Sequence, residues 1–435
     1  MGRYSSMMVI MLFMGVLFMR LQTQNTIVEG WNQKMVQYNR LRVHNIANGG
    51  VTNALNALTL DVNASAPASN VSLTGGTYSY SFTRKEQDAT LGVTDIRVTA
   101  IGHYRDLNDT VVVLLTRPSF SRYAYFTNDE GSIWFQTGDT LTGPVHTNGY
   151  FNMQGYPVFY GKVTSHEIYS SSSPYRKYSS GVTSPDFDGG SEWGVPTLEM
   201  PTAIPADLKA AAQSDGLYIG TYTYVWMKFQ SDGTVKVAKS NYSSTPSSGS
   251  YVTYALSSLN GVFLVEKSGT TPTVHVEGTV NGQVTVASSG HIKVTGNLLL
   301  ADNPLTNPAS DDMAGLCAAK NIIVTNNSLD ASRTIQATCM TMNTTVSSTT
   351  NFDVENYSPT RYGTLSLLGG LIQRGRGAVG TVGTATTRKG YIKDYVWDSR
   401  LQDIAPPYFP MLCVLRKISR YDLLIVTLPN PRRLE

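Results

Sequence analysis

Two hydrophobic patterns follow each other over the first 60 residues. Residues 7–19 form an apolar run between Arg3 and Arg20. This run is shorter than the about 20 residues that a helix needs to cross a membrane, and it has the length of a signal-peptide hydrophobic region. After it, apolar residues recur at three- and four-residue spacing, as on one face of a helix. They include Val28, Trp31, Met35, Tyr38 and Leu41.

The pattern predicts one long helix, or two abutting helices, over residues 5–60. Its first third is apolar all round and the remainder is amphipathic. The pair Gly49–Gly50 should weaken or bend the helix, because each glycine costs about 1 kcal/mol relative to alanine. The alternative is a signal anchor followed by an ordinary surface helix. A second apolar stripe offers a packing face: Val51, Ala54, Leu55 and Leu58.

Beyond the helix, the pattern changes to alternation, which is typical of β-strands. A loop rich in Ala, Ser, Pro, Asn and Gly covers residues 63–76. Strands are then predicted over residues 77–82, 94–104 and 110–117. A turn at Asn108–Asp109 would join the last two as a hairpin. We expect a small antiparallel sheet over residues 61–125, against which the second apolar stripe of the helix packs.

Short strand-like pieces punctuated by Gly or Asn-Gly recur at residues 131–165, 261–300, 315–343 and 363–375. Their loose period of roughly 20 residues predicts a parallel β-solenoid over residues 126–410. An antiparallel sandwich stays open as the rival. Residues of about 166–260 are predicted as a lateral insertion, and residues 411–435 as a tail with a closing strand at 422–427. Cys317 and Cys339 lie about one coil apart and could stack as a thiol ladder or pair.

Composition places the chain among extracellular β-proteins. Of its 435 residues only 15% are charged, below the roughly 25% of ordinary soluble domains. The net charge of +3 is spread along the chain, which indicates no nucleic-acid partner. The three cysteines lack the spacing of a zinc site. We therefore predict no metal and no cofactor.

Two motifs resemble ligand-binding patterns only in part. Residues 375–380, GRGAVG, match a dinucleotide fingerprint, but the following Thr- and Gly-rich stretch does not favour the helix that must hold the pyrophosphate. We interpret the segment as a flexible basic loop that could touch an anionic surface polymer; its cations are Arg374, Arg376, Arg388 and Lys389. Incomplete calcium-loop patterns, which lack the full ligand set, occur at Asp186, Asp188, Asn303, Asp311 and Asp312.

Candidate chemistry in the body is sparse. No nucleophile, base and stabiliser can be combined into one catalytic constellation, so no catalytic residues and no enzyme activity are predicted. The alternative is a membrane-anchored, polysaccharide-acting enzyme in which His146, Glu266 and Glu277 meet in a cleft. A third hypothesis is a glycan-binding adhesin that uses Trp193 and Trp226 as flat contact surfaces, although aromatic residues also favour strands on their own account.

The N-terminal pattern resembles a type IV pilin or pseudopilin. Residues 45–58, NIANGGVTNALNAL, are similar to the Ala/Gly/Asn-rich helix end of PilX-type pilus-assembly proteins. The resemblance implies a signal anchor that a prepilin peptidase cuts before the apolar run, which first lies in the inner membrane and then in the filament core. The residues so assigned are Met7, Met8, Val9, Ile10, Met11, Leu12, Phe13, Met14, Val16, Leu17 and Phe18.

Two positions depart from that family's pattern. The family is cut after a glycine, and here only Gly2 precedes the run. Its fifth mature residue is usually Glu, and Met7 stands there. A non-cleaved anchor or a minor component is therefore an equal alternative to a major subunit.

The body resembles an uncharacterised bacterial envelope family, in which a β-rich body follows a pilin-like anchor. The resemblance lies in residues 125–165, 363–381 and 391–410. It brings no catalytic residues. We therefore expect a mainly β protein of the bacterial inner membrane and envelope, with a periplasmic or extracellular body. Its function would be a minor component or assembly factor of a type IV pilus or type II secretion-like filament. Expected partners are the membrane, other pilin-like subunits and surface polysaccharide.

Overall fold

The structure is a computed structural model. It describes residues 2–61, 64–84, 87–88, 90–91, 95–179, 182–325, 329–347, 349–357, 361–381, 389–412 and 416–423. The chain divides into two compact units. The first consists of Met1–Arg117 and Val414–Glu435, and the second of Pro118–Cys413. In sequence, the second unit is therefore an insertion into the first.

The helices and strands have the following bounds in chain order. The α-helices are α1 (Gly2–Leu60) and α2 (Ala206–Ser214). The strands up to the middle of the chain are β1 (Ala68–Leu73), β2 (Gly76–Thr83), β3 (Asp95–Tyr104), β4 (Leu107–Thr116), β5 (Tyr125–Asp129), β6 (Thr140–Leu141), β7 (Val145–Thr147), β8 (Asn152–Met153), β9 (Val158–Phe159), β10 (Val163–Ser165), β11 (Arg176–Lys177), β12 (Ser191–Trp193), β13 (Leu217–Ile219), β14 (Tyr224–Gln230) and β15 (Thr234–Ser240).

The remaining strands are β16 (Val252–Ala255), β17 (Val262–Val265), β18 (Thr273–Val280), β19 (Gln283–Ser288), β20 (His291–Leu300), β21 (Met313–Ala318), β22 (Ile322–Val324), β23 (Arg333–Gln336), β24 (Thr338–Thr341), β25 (Phe352–Val354), β26 (Arg361–Leu368), β27 (Leu371–Gly375), β28 (Gly390–Val396) and β29 (Arg416–Leu423). The chain is mainly β with one long, apolar N-terminal helix, which confirms the coarse prediction.

In the first unit, the C-terminal part of α1 packs on an antiparallel sheet. The strand order is β1-β2-β3-β4-β29. Val51, Ala54 and Leu58 are buried among apolar residues of β3 and β4, and Leu55 packs at the margin of this cluster. One turn earlier, Val43 and Ile46 contact Tyr78 and Tyr104; they belong to a second buried cluster.

Glycines set how closely α1 approaches the sheet. A Cβ on Gly102 of β3 would lie 2.6 Å from the carbonyl oxygen of Val43 and 2.7 Å from the nitrogen of Ala47. Only glycine fits at such a distance. Gly50 of the helix also allows a close approach, in its case to the side chains of Tyr78 and Ala100. The helix is continuous through Gly49–Gly50, because tight packing on the sheet offsets the weak helix propensity of this pair.

Two details of this sheet differ from the prediction. The hairpin turns at residues 105–106, with Tyr104 opposite Leu107 and Arg105 at a positive φ of 53°. Asn108 and Asp109 lie within β4 instead. Their side chains are held by β3 and the helix, since Asn108 contacts His103 at 2.5 Å and Asp109 contacts His44 at 2.6 Å.

The C-terminal segment also differs from the predicted tail. Strand β29 pairs antiparallel with β4, so residues on either side of the second unit complete one sheet. The predicted closing strand at 422–427 overlaps β29 only at its end, and residues 424–435 lie outside the described residues.

The second unit contains a ten-stranded sheet in which every pair is parallel, here called the parallel sheet. Its spatial order is β12-β10-β7-β5-β27-β24-β21-β19-β17-β13. The chain enters at β5 in the middle, proceeds to the edge strand β12, and then crosses to the opposite edge at β13. From there it returns strand by strand until β27 pairs with β5. The series β5 to β12 and the series β13 to β27 therefore proceed across the sheet in the same spatial direction.

A second ten-stranded sheet has the order β16-β15-β14-β18-β20-β23-β26-β28 along its main path, and here we call it the mixed sheet. Strands β14, β15 and β16 pair antiparallel, whereas β14 and β18 begin a parallel series. The inner core lies between the two sheets and includes Phe263, Val286, Val276 and Ile292. The parallel β-solenoid stays a prediction, because the pairing in the unit as a whole is mixed.

Residues 166–260, predicted as a lateral insertion, contribute strands to both large sheets. Strands β12 and β13 form the two edges of the parallel sheet, and β14–β16 form one end of the mixed sheet. The segment between β12 and β13 spans nine strand spacings, about 43 Å. Its Leu198 exchanges two hydrogen bonds with Asn148, at 2.8 and 2.9 Å. Buried residues of α2, Leu208 and Ala212 among them, cover the outer face of the parallel sheet.

Because both faces of the parallel sheet are covered, some of its central strands are buried along their whole length. All four residues of β17 and all six of β21 are buried. Successive side chains of a strand point to opposite faces of the sheet, and this alternation separates the two cysteines. Cys317 aligns with Met340 and Cys339 with Leu316, so Cys317 lies in the outer cluster and Cys339 in the inner one. The stacking or pairing hypothesis is therefore wrong, since the spacing misses the local register by one residue.

A buried ion pair joins the ends of β5 and β27, the first and last strands of the parallel sheet in chain order. Arg376, just after β27, donates from Nη1 to the Glu130 carboxylate at 2.8 Å, and their side chains are 5% and 1% exposed. Glu130 also accepts from the Tyr125 hydroxyl at 3.1 Å and from Thr127. The guanidinium lies 3.9 Å from the centre of the Phe135 ring. This network fixes residues that are 246 positions apart.

We predict that Arg376→Met destabilises the second unit by about 3–5 kcal/mol, because it leaves the Glu130 carboxylate buried without its cation. The free energy of unfolding of the full chain, followed by denaturant titration, checks this. Arg361→Met is the matched control, since the ion pair of Arg361 with Asp330 is exposed and its loss should change the free energy of unfolding little.

Adding Glu130→Gln to Arg376→Met should recover part of the lost stability, because the uncompensated charge is then gone. Equal effects of Arg376→Met and Arg361→Met would show that the buried pair has no special role.

Candidate functional site

The N-terminal part of α1 presents an uncovered apolar surface. Its large side chains between Met7 and Met19 are 51–72% exposed, and a Cβ added at Gly15 would meet nothing within 4 Å. In the described part of the chain, α1 alone is long and apolar enough to cross a membrane. The exposed residues include the whole predicted set: Met7, Met8, Val9, Ile10, Met11, Leu12, Phe13, Met14, Val16, Leu17 and Phe18.

The amphipathic part that follows is also unpartnered as far as Leu41. Trp31 is 69% exposed and Tyr38 is 57% exposed. Full burial of each large apolar side chain is worth roughly 1.5–3 kcal/mol. A continuous surface of this kind marks a site of contact with membrane or protein. The helix is buried only from Val43 onward, where it reaches the sheet.

A cavity of about 320 Å³ opens beside the ion pair of Arg376 and Glu130 in the second unit. The loop and strand at residues 133–141 form one wall, and residues 371–381 and 391–395 form the other. The Arg376 guanidinium and the Phe135 ring belong to this lining. The cavity therefore lies beside the contact of β5 with β27, the first and last strands of the parallel sheet in chain order.

A second charge pair lies at this cavity. Lys393 Nζ is 2.6 Å from Asp139 Oδ1, with side chains that are 31% and 15% exposed. Asp139 also accepts from the backbone nitrogen of Gln136 at 3.0 Å. Burial lowers the pKa of Lys393, and the Asp139 carboxylate opposes this shift. Burial alone would lower the pKa of Arg376, but neighbouring Tyr125, Glu130 and Asp139 raise it.

The segment GRGAVG at 375–380 contributes to this cavity and is not a flexible basic loop. Arg376 is committed to Glu130, and Arg374 donates to the Met200 carbonyl at 3.3 Å. A Cβ on Gly377 would lie 2.0 Å from the Phe352 carbonyl oxygen, so this glycine permits close backbone packing. Arg388 lies outside the described residues. The predicted cationic surface is therefore wrong for Arg376.

His146 is a structural residue of the parallel sheet. It is 1% exposed and contacts Thr164 at 2.8 Å through Nδ1 and Asn148 at 3.1 Å through Nε2. A neutral ring that donates from Nε2 satisfies both contacts. Burial lowers its pKa to about 4. These partners leave it no access to a substrate.

The two glutamates of the enzyme hypothesis are held in separate contacts. Glu266 pairs with Lys209 at 2.6 Å and accepts from Tyr218. Glu277 pairs with Lys228 at 2.8 Å and accepts from Thr295. Among the contacts that the structure describes, none brings either of them to His146. The geometry therefore gives the predicted cleft no support.

The two tryptophans of the adhesin hypothesis are part of the packing. Trp226 is 5% exposed and stacks on His275 at 4.9 Å and 10°. Trp193 lies on the edge strand β12, 5.5 Å from Phe187 and 6.0 Å from Tyr175. Trp193, Phe187 and Tyr175 pack against the inner core. Their role as ligand contacts stays a prediction, and the burial of Trp226 opposes it.

Metal binding has no visible site in the described chain. No group of three or more His, Cys, Asp or Glu side chains there could hold a metal ion. Asp312, from one incomplete calcium pattern, accepts from the backbone nitrogens of Gly282 and Asp302, at 2.6 and 2.7 Å. It therefore fastens a loop.

Sequence reasoning missed the residues of the cavity. No motif surrounds Glu130, Asp139 and Lys393, and Glu130 and Lys393 each stand beside another charged residue, Asp129 and Asp394. Their partners are about 250 residues away, and no local pattern identifies them.

Comparison with known proteins gives a family match and structural likenesses. Residues 76–167 match the profile of a family described as a domain of unknown function, DUF4900. The crystal structure of the competence-associated pilin ComZ from Thermus thermophilus is similar over 89% of this chain and 98% of its own, with 12% identity and a TM-score of 0.30. A likeness at this level establishes neither fold nor function. No curated protein sequence matches the chain.

We predict that the stability of the second unit falls as the pH is lowered from 7 to 4. The folded pKa of His146 is about 4, below the ordinary 6.5, so the unfolded chain binds the proton first. The contribution of neutral His146 to stability is complete above pH 6.5. It decreases as the pH falls and is about 3 kcal/mol smaller at pH 4. Denaturant titrations at a series of pH values measure it.

Between pH 4 and 6.5, His146→Gln should reduce the slope of the unfolding free energy against pH by the equivalent of at most one proton. The matched control is Val182→Gln, because Val182 is exposed and carries no titratable group, so the slope should equal that of the wild type. A wild-type slope in His146→Gln would contradict a neutral, buried His146.

Proposed function

We propose that the chain is a structural component of the bacterial envelope, anchored and assembled through the N-terminal part of α1. In this proposal it is a minor pilin-like subunit or an assembly factor of a type IV pilus or type II secretion-like filament. The observation that carries the proposal is the apolar run at residues 7–19, whose large side chains are 51–72% exposed. Lipid or neighbouring helices would cover it.

The length of the apolar run and of the helix beyond it supports assembly as well as anchoring. The run alone is about 20 Å long at 1.5 Å per residue, shorter than the roughly 30 Å core of a bilayer. Residues 4–28 contain a single charge, Arg20, and can extend the buried segment. Beyond them Trp31 and Tyr38 stay exposed, on a part of the helix suited to packing against another protein.

In the proposal, the second unit is a β-solenoid that serves as a spacer or tip module. The uniform direction of the parallel sheet and its return to β5 support a coil-by-coil stack. Burial on both faces of this sheet supports a rigid body. No catalytic step is assigned to it.

Processing and location test the subunit role. Intact mass and N-terminal sequencing are determined for the protein from the membrane fraction and from sheared surface filaments. We expect a chain that begins at Arg3 and is present in the filaments. An unprocessed chain found only in membranes would exclude the subunit role and leave the anchor.

The anchoring role has its own test, the substitution Met11→Arg. An arginine near the middle of the run should cost about 2.5–3.5 kcal/mol on insertion and shift the protein from the membrane fraction to the soluble fraction. Asn25→Arg is the matched control, because residue 25 is polar and exposed on the same helix. If Met11→Arg stays in the membrane to the same extent as the control, the run is not the anchor.

A further inference from the structure

We propose that the cavity between residues 133–141 on one side and residues 371–381 and 391–395 on the other binds a neutral sugar residue. Its volume of about 320 Å³ is at the lower end of the range for ligand pockets, about 300–1,000 Å³. It combines an apolar lining with a few polar side chains near one another, which is the usual composition of a small-molecule site.

Aromatic rings form much of the lining. Trp134, Phe135, Tyr391 and Tyr395 all contribute to it. Phe135 is held in place by the Arg376 guanidinium on one face, 3.9 Å from the ring centre, and by edge contacts with Tyr125 and Phe159. Phe135 and Tyr391 are buried and support this wall, whereas the half-buried rings of Trp134 and Tyr395 offer surface to the C–H face of a sugar at a low entropic cost.

Polar groups at the cavity match vicinal hydroxyls. Asp139 and Lys393 are 2.6 Å apart and partly exposed, and Gln136 is tied to Asp139 through its backbone nitrogen. A carboxylate accepts from one hydroxyl while an ammonium donates to the next. The ammonium has three donors and Asp139 occupies one of them, so Lys393 retains the capacity to donate to a ligand.

Charge balance selects a neutral ligand. Arg376 is compensated by Glu130, and Lys393 by Asp139. A ligand with a net charge would therefore be desolvated without a free counter-charge, at a high cost. A neutral sugar needs only exchangeable hydrogen bonds and apolar contact. This inference does not depend on the proposed envelope function.

The test is calorimetric titration of the full-length protein in a detergent without a sugar headgroup. The probes are glucose, galactose, mannose, N-acetylglucosamine and cellobiose, with indole as an apolar comparison. We expect saturable binding of at least one sugar with a millimolar or lower Kd. Asp139→Asn and Lys393→Gln should each weaken that binding about tenfold or more. Saturation-transfer NMR on the wild-type protein provides a second readout that needs no variant.

Lys162→Gln is the matched control, because its ion pair with Glu192 has the same 2.6 Å distance but lies on the surface, 57% and 56% exposed. Circular dichroism verifies that each variant is folded. The proposal is overturned if no sugar binds the folded wild-type protein, if indole alone binds, or if Lys162→Gln weakens sugar binding as much as the cavity variants.

Discussion

The pairing of β27 with β5 is the contact on which the second unit depends. These strands are parallel and about 246 residues apart in sequence, so their contact closes a sheet that the chain begins in the middle. The buried pair of Arg376 and Glu130 lies at the same place, inside a network with Tyr125 and Thr127. Desolvation makes a buried ion pair a weak source of net stability. Its effect is to make any other register costly, because a displaced strand would leave a charge unpaired.

The cavity follows from the same closure. From β13 to β27, neighbouring strands of the parallel sheet are joined by chain that returns through the mixed sheet, whereas from β5 to β12 the connections contain the short strand pairs β6–β9 and β8–β11. Between β27 and β5 no covalent connection fills the space, and the cavity is lined from the two sides of that gap. Charged and polar residues gather there since the segments that meet are loops and strand ends. The cavity and the closure of the parallel sheet therefore have the same structural origin, the contact of β27 with β5.

The sequence was informative wherever the contacts are local. Helix spacing at Val51, Ala54 and Leu58 identified the face that packs on the sheet, and uniform apolar runs such as residues 262–265 correspond to strands buried on both faces. It misled where side chains take on a tertiary role: Asn108 and Asp109 have the composition of a turn, but His103 and His44 hold them in a strand. It could not identify the order of strands or the partner of Arg376, because long-range pairing leaves no period in the sequence.

The geometry of α1 argues that the sheet described in the first unit cannot cover the exposed part of the helix. The helix has 59 residues, about 88 Å at 1.5 Å per residue, whereas five strands at about 4.8 Å spacing form a sheet only about 24 Å wide. Packing on such a sheet accounts for the stretch from Val43 to Leu58. The remaining two thirds must find another environment. Since its first part is apolar on every side while the next part is amphipathic, that environment changes along the helix, from one that surrounds it to one that meets a single face.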